Sequence, residues 1–299
     1  MIKAVAKIKR KNILIIGAAG FVGQALVKKL LSQPGNLFLT AQSKKFKCSG
    51  AKVFYGDLTD KKFCQKIVRG VDLVYYLAGY KKNIAWHAKK PFEFFVGNLK
   101  PFLNFLAAAQ RSKIKKIVYL SSTIVDYAAT EQKTIDGYAW GKYANELALK
   151  SFKAQNKIDT VLIRSAAIYG PGDNFNPAVA NFIPATIGRV SQAQGELVIW
   201  GRGLRKMQFI FIDDLVANLV AAQKTKKDFF VVGNPEVMTV NQVVQKIIGL
   251  SDKKLAIKHD LSKPDKSSQL VKFSNLVKPQ FSLSQGLAKT ISYYQQKNG

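Results

Sequence analysis

Acidic residues, cysteines and histidines are scarce in this chain of 299 residues. Only 18 aspartates and glutamates stand against 47 lysines and arginines, which leaves a net charge of +29. The two cysteines, Cys48 and Cys64, match no metal or redox spacing, and with only His87 and His259 beside them no metal site is expected. Free thiols in such small number fit a reducing compartment, so a cytoplasmic protein is expected, with an organelle matrix as the alternative. No segment reaches the ~18 uninterrupted apolar residues of a membrane span, so a transmembrane protein is not expected. The start of the chain mimics a secretory leader, with Lys3, Lys7, Lys9, Arg10 and Lys11 ahead of Ile13-Leu14-Ile15-Ile16. That reading fails because Gly17, Gly20 and Gly23 interrupt the apolar stretch and no small-residue cleavage site precedes them.

What is present is an alternation of short apolar runs with helical segments. Ile13 to Ile16 reads as a buried parallel strand, and Gly17-Ala18-Ala19-Gly20-Phe21-Val22-Gly23 follows it directly. Phe21 to Leu31 then has helical periodicity and stops at the breaker cluster Ser32-Gln33-Pro34-Gly35. In a strand, turn, helix unit of this kind, glycines permit tight curvature and close approach, so the helix N-terminus can hold a pyrophosphate on its free N–H groups. Further strands are expected at Leu37 to Ala41, Val53 to Tyr55, Leu73 to Leu77, Ile117 to Leu120, Thr160 to Ile163 and Phe229 to Val232. Helices are expected at Asp60 to Arg69, Pro91 to Arg111 and Gly137 to Gln155. The fold class is therefore α/β, a doubly wound parallel sheet of Rossmann type with a smaller C-terminal lobe. Glycine and proline clusters past residue 166 divide it: residues 1–166 with about 207–233 form the dinucleotide-binding domain, and 167–206 with 234–299 the substrate lobe.

Tyr138-Ala139-Trp140-Gly141-Lys142 places a phenol and an ammonium one helical turn apart. The ammonium is expected to lower the phenol's pKa and fit it for proton transfer. Spacing alone decides nothing, since Tyr293 and Lys297 repeat it in the last helix.

Taken in order, these pieces resemble the extended short-chain dehydrogenase/reductases of the NAD-dependent epimerase/dehydratase family. The resemblance rests on the glycine turn, Gly56-Asp57-Leu58-Thr59, Leu77-Ala78-Gly79, Asn98, Val118-Tyr119-Leu120-Ser121-Ser122 and the Tyr138/Lys142 pair. It continues through Arg164, Tyr169-Gly170-Pro171-Gly172, Phe209 to Asp214 and the final helix from Phe281, where Leu283, Leu287, Ile291 and Tyr294 form an inward stripe. It implies that Tyr138 is the general acid or base, that Lys142 holds the nicotinamide ribose, and that a hydroxyl at the end of the fifth strand bonds the same substrate oxygen. Aligning Val125 with the family's valine makes that hydroxyl Ser122, with Asp126 where tyrosine is usual; aligning Tyr127 instead selects Thr123. It further implies that Gly17, Gly20, Phe21, Val22, Gly23, Asp57, Leu58, Leu77, Ala78, Gly79 and Asn98 surround the cofactor.

No acid stands about twenty residues after the glycine turn, where a ribose 2′-hydroxyl would want one. Ala41 holds that place, followed by Gln42-Ser43-Lys44-Lys45, and a hydroxyl with two cations suits the 2′-phosphate of NADP(H) over NAD(H). A nucleotide sugar is the leading substrate class. Met207 stands where many such enzymes carry an arginine for the diphosphate, leaving Arg202, Arg205 or Lys206 to substitute, with Tyr169 beside them. Thr123-Ile124 is not the acid pair that dehydration usually needs, which ranks dehydration behind epimerisation and reduction without fixing the reaction. The charge of +29 suits a polyanion or an acidic partner. An alternative function is therefore a binding protein of this fold, RNA-binding or a basic accessory subunit of a large complex, that keeps NADP(H) for structure or sensing. Relatives commonly pair subunits through the two long helices, so a homodimer is expected.

Overall fold

The computed structural model describes residues 11–81, 89–126, 136–263 and 267–298. The lysines of the leader-like start before Lys11, together with Lys82, His87 and Tyr127, lie outside the described residues.

Seven strands form one parallel sheet: β1 (Asn12–Ile16), β2 (Asn36–Ala41), β3 (Lys52–Tyr55), β4 (Leu73–Tyr76), β5 (Lys116–Ser122), β6 (Asp159–Ser165) and β11 (Phe229–Val232). Their spatial order is β11-β6-β5-β4-β1-β2-β3. The order reverses between β1 and β4, which pair through Ile13 to Ile16 and Leu73 to Tyr76. A crevice opens outside the carboxyl ends of the strands at such a reversal.

Alternation along each strand builds two cores, because successive side chains point to opposite faces. Ile13 and Ile15 of β1 join one core, which takes Leu26, Val27 and Leu30 of α1 (Phe21–Leu31). Leu14 and Ile16 join the other, beneath α2 (Lys61–Ile67), α3 (Pro91–Gln110) and α4 (Gly137–Gln155). Tyr76, Phe102, Phe105 and Tyr119 fill that second core with ring centroids 4.7 to 6.2 Å apart. Such contacts are favourable beyond the area they bury.

Beyond β6 the elements shorten. β7 (Ala167–Tyr169) pairs with β10 (Phe209–Phe211), β8 (Glu196–Trp200) with β13 (Ala256–Asp260), and β9 (Lys206–Met207) with β12 (Met238–Thr239). Helices α5 (Phe182–Gln192), α6 (Ile212–Ala221), α7 (Val240–Gly249) and α8 (Leu283–Asn298) complete the described chain. Leu283, Leu287 and Ile291 of α8 are buried, and Tyr294 packs beside them.

Side-chain clamps hold the returning C-terminal segment. Asp214 of α6 accepts the backbone N–H groups of Gln280 at 2.8 Å and Phe281 at 3.3 Å. One turn on, Asn218 accepts from Leu276 and Val277 and donates to the Val277 carbonyl. Backbone groups that no sheet satisfies thus find partners, as buried peptide groups must. Among the described residues no helix is long and apolar enough to cross a membrane.

Candidate active site at the sheet reversal

The glycine turn sits at the mouth of the crevice, and its shape explains why glycine is needed. Gly17 has φ +85°, a left-handed conformation that favours glycine. A Cβ there would also stand 2.8 Å from the backbone nitrogen of Ala78 at the end of β4. At Gly23 a Cβ would lie 2.2 Å from the Gly17 carbonyl oxygen, so only glycine lets α1 settle onto the turn. Gly20 caps α1 with extended backbone and no side-chain hydrogen bond, which leaves the helix N-terminus as a cradle of backbone N–H groups. The donor set and the missing Cβ atoms fit a pyrophosphate.

A cleft of about 490 Å³ extends from this turn. Gly17, Ala19 and Gly20 line one end, Thr40 to Gln42 and Gly56 to Thr59 one side, and Tyr76 to Tyr80 with Gly97, Asn98 and Pro101 the other. Asp57, Leu58, Leu77, Ala78, Gly79 and Asn98 therefore all reach the cleft. Gly23 instead packs inside the turn, and Phe21 and Val22 pack against the core. Ser43, Lys44 and Lys45 are exposed just past the rim, where the Ser43 hydroxyl accepts the backbone N–H of Lys45 at 3.2 Å. Asn98 is buried and clamps the exit of β4: its Oδ1 accepts from the Tyr80 N–H at 3.0 Å, and its Nδ2 donates to the carbonyls of Tyr80 and Phe94.

Two glycines seat the helix that carries the tyrosine and lysine. A Cβ on Gly137 would stand 1.7 Å from the Pro91 carbonyl oxygen, and one on Gly141 would stand 3.0 Å from the Asn98 Cβ. Their absence lets α4 lie close along α3. Asp136 caps α4 by accepting the backbone N–H groups of Tyr138 and Ala139 at 3.0 and 3.1 Å. Tyr138 and Lys142 are both buried. Lys142 Nζ donates to the Leu120 carbonyl at 3.0 Å, sits 4.9 Å from the centre of the Tyr119 ring, and lies 3.4 Å from where a Cβ on Gly79 would be. Its ammonium thus reaches the edge of the cleft.

The electrostatics reverse one expectation. Burial, and then the charge of Asp136, push the Tyr138 phenol up rather than down. Lys142 is instead the group that is lowered, to about 7: burial dominates, the charge of Lys81 adds to it, and Glu146 opposes both. A lysine whose charge is this costly to hold is a weaker lever on its neighbour than one that is free.

Ser122 ends β5, paired with Ser165 of β6, and its Oγ accepts the Ile124 N–H at 3.4 Å. Thr123 follows it and donates its backbone N–H to the Ser165 carbonyl. Val125 is fully buried, and Asp126 pairs with Arg164. Arg164 also grips Glu146 through Nε, at 3.0 and 3.1 Å, and through Nη2. Glu146 in turn accepts from the Ser121 hydroxyl. This network ties α4 to β5 and β6 one turn beyond Lys142, and sequence reading missed it. Glu146 at the fourth position after Lys142, on the same helix face, was the available signal.

Tyr169 does not line this cleft. Its ring is buried edge-on against Phe209 and Phe211, and its hydroxyl donates to the Leu283 carbonyl. Gly286 has no side chain because the Tyr169 hydroxyl occupies that space, 2.2 Å from a would-be Cβ. Arg202 and Arg205 lie in the turn between β8 and β9, away from the lining of the cleft. Their carbonyls accept from the start of α7: Asn241 Nδ2 bonds Arg202 and the Val240 N–H bonds Arg205. Met207 is half-buried against the core.

The sequence profile of the NAD dependent epimerase/dehydratase family matches residues 13–233. The chain belongs to this family. It is thus an NAD(P)-dependent enzyme of the epimerase/reductase kind within the extended short-chain dehydrogenases. GDP-L-fucose synthase 1 of Arabidopsis thaliana is 25% identical, over 96% of this chain and 94% of its own. GDP-mannose 3,5-epimerase 1 of Oryza sativa subsp. japonica is 24% identical, over 84% and 71%. Among solved structures, UDP-glucose 4-epimerase of Thermotoga maritima, in complex with UDP-glucose, superposes with a TM-score of 0.85 at 22% identity, covering 96% of this chain and all of that one. These relatives do not favour the alternative of a binding-only protein.

Proposed function

We propose that the protein transfers hydride between NADP(H) and a hydroxyl or carbonyl carbon of a nucleotide sugar, as an epimerase or reductase. The carrying observation is the burial of Tyr138 and Lys142 on α4, with the Lys142 ammonium beside Gly79 of the cleft that begins at the glycine turn. Several relatives act on GDP-linked sugars by name, and solved neighbours hold UDP-linked ones, which supports the substrate class. Residues 1–166 with about 207–233 would hold the cofactor, and 167–206 with 234–299, including Arg202 and Arg205, the sugar nucleotide.

The N–H groups at Gly20 and the start of α1 would bind the pyrophosphate, and Asp57 the adenine. When bound there, the dinucleotide supplies two-electron hydride chemistry. Lys142 would donate to its ribose hydroxyls. Tyr138, whose phenol burial keeps protonated, would give its proton to the substrate oxygen as a carbonyl is reduced and recover it in the reverse step. Ser122 would donate to the same oxygen, Val125 being buried in step with that register; Thr123 is the alternative.

Ser43, Lys44 and Lys45, exposed at the rim with no acid in β2 to compete, support a 2′-phosphate and hence NADP(H). Titration with NADPH and with NADH, followed by nicotinamide fluorescence at moderate salt, tests this. NADPH is expected to bind more tightly, and Lys44→Glu with Lys45→Glu to erase about tenfold or more of the preference, the scale of a lost charge-assisted contact. Equal affinity for the two nucleotides overturns the assignment, and binding of neither overturns the enzyme. Exposed Leu103 and Leu147 on α3 and α4 support a homodimer through these helices. The charge of +29 supports an acidic or polyanionic partner.

A further inference from the structure

The loop after β7 crosses above the glycine turn. Gly170 and Gly172 have φ +154° and +89°, so Gly170-Pro171-Gly172 turns the chain sharply before Asp173. A Cβ on Gly172 would lie 3.9 Å from the ring of Phe21, the first residue of α1. From the other side Lys81, just past the end of β4, brings its ammonium 5.8 Å from the centre of the Tyr138 ring, and its charge acts on Asp173 as well as on Lys142. Asp173 thus follows a turn that approaches the start of α1, and it lies within electrostatic reach of the Lys81 that faces the Tyr138 ring.

One oxygen of Asp173 is engaged and the other is not. Oδ1 accepts the Asn174 N–H at 2.8 Å, while Oδ2 is buried with no hydrogen-bond partner among the described residues. A buried acceptor left without a donor is costly, and native structures keep few of them. Burial pushes the carboxyl up to about 6, against the Asn174 N–H and Lys81, which both hold it down. The missing partner must be a donor. A diphosphate is excluded by its charge, whereas a sugar hydroxyl fits.

We infer that Asp173 is a substrate contact, its Oδ2 accepting a ring hydroxyl of the sugar, with Lys81 as its counter-charge. The inference rests on the proposed nucleotide-sugar substrate. It gives the loop after β7 a part in choosing the sugar, separate from the groups that hold the nucleotide.

The test is calorimetric titration, with NADP+ present, of wild type, Asp173→Ala and Asp173→Asn with UDP-glucose and GDP-mannose, and with bare UDP and GDP. Both variants are expected to bind the sugar nucleotide about tenfold or more weakly, the loss of one charge-assisted bond, and the bare diphosphate within about twofold of wild type. Equal weakening of both ligands, or of neither, overturns the assignment. If wild type itself binds no sugar nucleotide more tightly than the bare diphosphate, the substrate class falls and this inference with it.

A melting series without nucleotide checks the premise. The wild-type carboxyl titrates near 6 folded against 3.8 unfolded, so the folded chain binds the extra proton between them. Wild type should lose stability relative to Asp173→Asn as the pH rises through that range. A relative gain instead would show a structural cation already paired with Asp173, and would overturn the contact.

Discussion

Tyr138 with Lys142 on α4 and Tyr293 with Lys297 on α8 are one pattern in the sequence, a phenol and an ammonium four residues apart on a helix. Their surroundings differ in every respect that matters to chemistry. Tyr138 and Lys142 are buried, and the ammonium is hydrogen-bonded to Leu120 and pressed against Gly79 at the cleft. Tyr293 is half-buried against Phe175, with ring centroids 6.3 Å apart, and Lys297 is exposed. A motif of two residues needs neighbouring backbone to position it and a pocket to work in, and the second pair ends on the open face of the last helix.

The sharpest way to break this comparison is Tyr138→Phe, which keeps the ring and removes the proton. Turnover of a sugar nucleotide should fall by at least ~100-fold, the low end for a lost general acid or base, with cofactor affinity nearly unchanged. Retained turnover would make the two tyrosines equivalent.

Lys142→Met comes next. Because the Lys142 ammonium titrates near 7, wild-type affinity for NADPH should weaken as the pH climbs through that value, and the variant should bind weakly with no such step. Stability carries the opposite sign. The unfolded chain keeps this lysine charged up to about 10.5 and the folded chain only to about 7, so the wild-type fold gains stability over that interval and the variant does not. Melting curves from pH 6 to 10 read this directly.

Gly23→Ala attacks the positioning instead of the pair. Its Cβ meets backbone that cannot turn aside, so stability should drop by about 1–3 kcal/mol, as overpacking does, and NADPH binding should weaken with it. Tyr293→Phe closes the series: activity should stay within about twofold and stability within about 0.5 kcal/mol, the range of ordinary surface changes.

The parallel sheet was legible because its strands alternate with helices and are apolar on both faces. Helices α1 and α4 and strand β11 fall where periodicity and breakers put them. The short paired strands of the C-terminal half did not announce themselves. β9 and β12 have two residues each, too few for any period, and their partners are far away in sequence. β8 did carry a signal: Leu197 and Ile199 are buried between exposed Glu196, Val198 and Trp200. The cleft was legible through its glycines, whose reason is local. Lys81 and Asp173 were passed over because their surroundings depend on which strand end faces which loop. Residue types alone do not carry that information.

The contact of Gly137 with the Pro91 carbonyl sets a distance by backbone alone. No side chain lies between the two helices at that point, so the span there is set by backbone meeting backbone. The crossing works as a gauge for where α4 carries its tyrosine and lysine. If Asp173 meets the sugar as proposed, its loop can diverge and shift sugar preference while this helix crossing keeps its span.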